Sequence, residues 1–88
     1  MNNILFPEES YKIIGICMNI HRFLGLGLKE ANYKDALEID LLEADIPFIR
    51  EKKYIVKYKG RVLKNPYIAD FIVFDSIILE IKISNGNI

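Results

Sequence analysis

The sequence predicts an α+β fold in the order α-α-β-β-β, with two N-terminal helices packed on a three-stranded, mainly antiparallel sheet. Three observations carry this. Apolar residues recur at steps of three and four up to about residue 44, and at steps of two after Pro47. Gly25 and Ile46-Pro47 punctuate the helical half. Lys59-Gly60 and Asp75-Ser76 divide the second half into three strands.

The first helix is expected over 9–24, with Ile13, Cys17, Ile20 and Leu24 in a stripe that Ile16 and Phe23 widen. Ser10 or the Pro7-Glu8-Glu9 run opens it, and Gly25 closes it, because glycine takes a left-handed cap without steric cost. The second helix is expected over 28–44, with Tyr33, Leu37, Leu41 and Ala44 along one face. Lys34, Asp35, Glu38 and Glu43 lie elsewhere on it, and Ile46-Pro47 ends it. A strand over 51–59 alternates Tyr54, Val56 and Tyr58 with Lys53, Ile55 and Lys57. The return strand starts near Arg61, is interrupted at Asn65-Pro66, and resumes from Tyr67 to Phe74. Proline has no N–H for the ladder, so a bend belongs there. A third strand covers 77–83, and the closing "SNGNI" reads as loop.

With 88 residues the chain makes a single domain, 1–88, whose core has little stability to spare. Hydrophobic residues are 51% and charged ones 27% of the chain, a globular composition that excludes a disordered one. No apolar run is long enough to span a bilayer, so no membrane partner is expected. The start, "MNNILFPEES", has no basic region ahead of an apolar one and does not read as a signal peptide. One cysteine excludes an internal disulfide and suits a reducing, cytoplasmic setting.

Net charge is zero, but it is unevenly spread. Residues 50–64, "REKKYIVKYKGRVLK", hold seven bases against Glu51 alone. Within this run Lys57, Lys59 and Arg61 surround the expected turn and are candidates for phosphate contacts of DNA or RNA. The alternative is a solvated hairpin whose lysines guard its edges.

The stretch "ADFIVFDSIILEIK", 69–82, sets Asp70, Glu80 and Lys82 inside the most apolar segment, where two buried strands are expected. Glu80 and Lys82 are two apart and leave one face of a strand. A two-residue turn at Asp75-Ser76 would set Glu80 opposite Phe71, whereas a three-residue loop over 74–76 pairs Val73 with Ile77 and sets Asp70 opposite Glu80. Two carboxylates side by side in an apolar setting repel each other, and a divalent cation makes the arrangement favourable. Magnesium suits it, since it takes oxygen ligands and needs only one or two carboxylates. The lysine would orient a water or stabilise charge on a phosphate. The competing reading is an ion triad that only holds the sheet.

The pattern D-x(9)-E-x-K on a hairpin resembles the core of the PD-(D/E)XK nuclease superfamily. "GLKEANY", Gly27 to Tyr33, resembles the motif of the GxxExxY protein family, as do "YKIIG" at 11–15, "IHRFLGLG" before the motif and "YKG" at 58–60. The resemblance implies a restriction-endonuclease-like core and a magnesium- or manganese-dependent nuclease-like domain acting on nucleic-acid phosphodiesters. Carried over, Asp70 and Glu80 are metal ligands and Lys82 is the catalytic lysine. Glu30 is the helix carboxylate that joins the metal directly or through water. Read without the resemblance, Glu30 is a first-turn acid favoured by the helix dipole. Ala69 stands where the superfamily name has proline.

Members resemble one another through a further helix and strand beyond the ExK strand, and here the chain ends at Ile88, so a domain incomplete at its C-terminus is expected. The 77–83 strand would then be an open edge, available to a second copy or a protein partner. A non-catalytic interaction module built on that edge is therefore the alternative function.

Two smaller signals are set aside. Cys17 and His21 are four apart, but no further Cys or His completes a zinc site. "GLGLKE" begins like a dinucleotide fingerprint but follows a helix and has Glu30 in place of its last glycine.

Overall fold

The computed structural model describes residues 7–82. Helix α1 spans Pro7–Leu24 and helix α2 Glu30–Glu43. Five strands follow: β1 Phe48–Tyr54, β2 Lys57–Tyr58, β3 Arg61–Val62, β4 Tyr67–Val73 and β5 Ile77–Leu79. Strands β1, β4 and β5 form an antiparallel sheet in the order β1-β4-β5, and β2 and β3 form a separate small hairpin. The α+β class and the helix–helix–sheet order are as the sequence predicts.

Gly25 ends α1 as expected, with φ of 71° and its N–H donating to the His21 carbonyl at 2.8 Å. At the start of α2, Asn32 Oδ1 reaches back to the Lys29 N–H at 3.0 Å, satisfying a donor that the helix leaves over. The helix stops at Ala44, which is exposed rather than part of the apolar face, and Asp45 follows in the left-handed region with φ of 57°.

The strand half departs from the expected boundaries in one instructive way. The strand read as 51–59 begins earlier, at Phe48, and ends at Tyr54. Phe48 and Ile49 pair with Val73 and Ile72, so burial of Phe48 against Phe71, with ring centroids 6.0 Å apart, starts the strand straight after the proline. Residues from Lys57 to Val62 instead form the small hairpin around Lys59-Gly60, where φ values of 51° and 77° give the paired left-handed turn that two-residue hairpins favour. The loop over 74–76 is the three-residue form: Val73 pairs with Ile77, and the Ser76 N–H donates to the Val73 carbonyl at 3.1 Å. Strand β5 ends at Leu79, short of the expected 77–83, and residue 83 and the "SNGNI" tail lie outside the described residues.

The core gathers Ile13 and Ile20 from α1, Leu37 and Leu41 from α2, Ile46, and Phe71 and Val73 from β4. Full burial of each large side chain contributes about 1.5–3 kcal/mol before entropy is counted. Phe23 and Leu24, expected in the α1 stripe, are exposed on the last turn of α1, where Gly25 takes the left-handed conformation and ends the helix. No helix of the described residues is long and apolar enough to cross a membrane.

Candidate functional site

Asp70 lies in β4, the central strand, between the fully buried Ala69 and Phe71. Ala69 pairs with Lys52 in the ladder, a position at which proline could not donate. On the other side the ladder closes at Phe71–Leu79, so Asp70 and Glu80 are the next residues of that register, just beyond its last pair. The ladder does not continue there. Asp70 Oδ2 instead accepts the Ile81 N–H at 2.7 Å.

The other carboxylate oxygen, Oδ1, lies 3.0 Å from Lys34 Nζ on α2, and both side chains are only 16% exposed. Burial alone would push the Asp70 carboxyl up. The Ile81 N–H and the Lys34 ammonium outweigh it, with a further contribution from the Lys82 charge, and hold the carboxyl below its ordinary value. Asp70 is therefore an ionised carboxylate at neutral pH.

Glu80 and Lys82 are exposed, and no charged side chain among the described residues is fully buried. This corrects the expectation of a charge triad sunk in an apolar segment. Strand β5 is three residues long at the sheet edge, so side chains just past it reach water. Glu80 Oε2 accepts the Tyr67 hydroxyl, whose pKa that bond raises. Tyr67 in turn stacks on Tyr54 at 6.1 Å between centroids, linking Glu80 to the stalk of the small hairpin.

Glu30 is the first residue of α2 and is exposed. It stands one turn before Lys34 on the helix. Among the described residues no three His, Cys, Asp or Glu side chains are grouped to hold a metal ion. The donor chemistry of Asp70 and Glu80, two hard carboxylates at adjoining register positions, suits magnesium, which completes its shell with water. Lys34 was not singled out from the sequence as part of this neighbourhood. Its only signal was its place four residues after Glu30 on α2.

Opposite Asp70 on the β1 side stands Glu51, which has φ of 58° and is skipped by the pairing of Arg50 with Phe71 and Lys52 with Ala69. A left-handed residue within a strand costs about 1 kcal/mol or more. Arg50, counted in the basic run, folds back onto α2 instead. It donates to Glu38 at 2.8 Å and Asp35 at 2.9 Å and lies 5.8 Å from the Phe71 ring centre. Lys57, Lys59 and Arg61 are exposed on the small hairpin, with Lys59 Nζ 5.4 Å from the exposed Tyr58 ring.

Cys17 is half-buried in the core stripe, and burial pushes its thiol up, away from a nucleophile's thiolate. Tyr33 donates its hydroxyl to the Gly25 carbonyl, tying the first turn of α2 to the end of α1.

No curated protein and no solved structure matches the chain. Over residues 7–86 the sequence matches the PD-(D/E)XK nuclease superfamily, a span that takes in both helices, the whole sheet and the Asp70 neighbourhood. The chain belongs to the PD-(D/E)XK nuclease superfamily.

Proposed function

We propose that this protein is a divalent-cation-dependent domain acting on nucleic-acid phosphodiesters, with Asp70, Glu80 and Lys82 at its centre. The observation that carries the reading is the Val73–Ile77 register, which sets Asp70 and Glu80 at adjoining positions at the end of the ladder with Lys82 two residues on. Asp70 and Glu80 hold the cation, magnesium or manganese, and Asp70 is held ionised for that task. When bound, such an ion lowers the pKa of its water and neutralises charge on a phosphate. Lys82 stabilises charge that develops on the phosphate or orients the attacking water. Glu30 contributes from the first turn of α2, through water. Lys57, Lys59 and Arg61 grip the backbone of DNA or RNA, with salt-dependent affinity.

The finer assignment, to the GxxExxY family, rests on Gly27, Glu30 and Tyr33. The Tyr33–Gly25 bond gives the tyrosine of that motif a structural task. Calorimetric titration with magnesium and manganese, wild type beside Asp70→Asn and Glu80→Gln, tests the site. Saturable binding that both substitutions abolish is the expected result. Affinity unchanged by either would remove the reading.

A second reading has its own observation. Strand β5 pairs only with β4 among the described residues, and Ile78 on it is 52% exposed. An apolar groove lined by Ile13, Ile14, Cys17, Met18 and Leu79 adjoins it. A non-catalytic module that pairs this edge with a second copy or a protein partner follows. Sedimentation over a wide concentration range tests self-association, and a strict monomer would leave only a heterologous partner.

A further inference from the structure

We infer that Lys34 is a built-in competitor of the cation at Asp70: its ammonium neutralises the carboxylate while the site is empty, and must leave when a divalent cation binds. This rests on the cation site proposed above. Lys34 Nζ is 3.0 Å from Asp70 Oδ1, with both side chains largely sheltered. The Ile81 N–H takes Oδ2 at 2.7 Å, so both oxygens are engaged and the position beside Oδ1 already holds a positive charge. An ammonium and a divalent ion against one sheltered carboxylate repel each other, so the two compete for Asp70.

The backbone of Lys34 is fixed, because Leu37 and Leu41 on the following turns of α2 are buried in the core. Its four-carbon stem is free to swing. Asp35 and Glu38 on the same helix already bind Arg50. Glu30, four residues before Lys34, stands at the spacing at which a glutamate and a following lysine pair on a helix. The released ammonium therefore has an acceptor one turn away. Lys34 is a positioning residue in this scheme: it weakens cation binding and keeps an otherwise uncompensated carboxylate from destabilising the empty protein.

The test is calorimetric titration of magnesium and manganese into the wild type, Lys34→Gln, Lys34→Arg and Asp70→Asn, with thermal melts of each at zero and saturating metal. Glutamine keeps a donor for Asp70 without the charge. Lys34→Gln is expected to bind roughly tenfold tighter than wild type, since a like charge is gone. It should also gain more thermal stability from metal, while Lys34→Arg returns both to near wild type. A Lys34→Gln affinity equal to or weaker than wild type, with binding still abolished in Asp70→Asn, overturns the role of Lys34 and leaves the cation site standing. No saturable binding in either the wild type or Lys34→Gln overturns both. Should Lys34→Gln fail to fold, the wild type alone decides: the ammonium resonance of Lys34, sheltered and slowed without metal, is expected to shift or vanish at saturation, and an unchanged resonance overturns the inference.

Discussion

The Tyr33 hydroxyl donates to the carbonyl of Gly25, eight residues earlier, and so closes the loop between the two helices. Gly25 is the left-handed residue that ends α1. Tyr33→Phe keeps the ring and removes only this bond. It is expected to lower stability by about 1 kcal/mol, measured by urea unfolding. No change in the unfolding midpoint would show that water replaces the hydroxyl at no cost.

Asp70 ties stability to pH. Its folded pKa lies below its ordinary value of 3.8, so the unfolded chain takes up the proton first on acidification. The carboxylate's contribution is therefore fully present above that ordinary value and is lost as pH falls through the lower, folded value. Wild type should exceed Asp70→Asn in unfolding free energy at pH 7, with the difference shrinking as pH falls below about 4. A difference independent of pH would mean that the Ile81 N–H and Lys34 together do not favour the ionised carboxylate in the folded protein.

Arg50 spans the helix–sheet junction by bonding both Asp35 and Glu38. The acidic partners are 65% and 40% exposed, so solvent screens most of the attraction. Arg50→Gln is expected to cost only about 0.5–1 kcal/mol at low salt and less at high salt. A larger, salt-independent loss would assign the effect to packing of the guanidinium on Phe71 instead.

Lys59 occupies the first left-handed position of the β2–β3 turn, with φ of 51°. Asparagine accepts that conformation more readily, and Asn-Gly is the preferred pair for such a turn. Lys59→Asn is expected to stabilise the hairpin by about 0.5 kcal/mol. Slower hydrogen exchange at the Leu63 amide, which donates to the Val56 carbonyl at 2.8 Å, is the readout. If Lys59 also grips phosphate, the same variant should weaken nucleic-acid binding and lower its salt dependence.

Much of this arrangement is written in local chemistry. The period of the apolar residues separates helices from strands, Gly25 has to end a helix, and Lys59-Gly60 has to turn, because these follow from backbone sterics and from the spacing of side chains on one element. The pairing of Val73 with Ile77 was legible as one of two registers, and with it the adjoining positions of Asp70 and Glu80. What stands next to Asp70 was not. Lys34 is 36 positions away in sequence, and its helix reaches β4 only because Leu37 and Leu41 bury themselves against Phe71 and Val73. The exposure of Glu80 and Lys82, and the return of Arg50 to the acids of α2, were decided in the same way. Apolar burial sets where the elements lie, and only then do charges on different elements find one another, which no periodicity within a single element can specify.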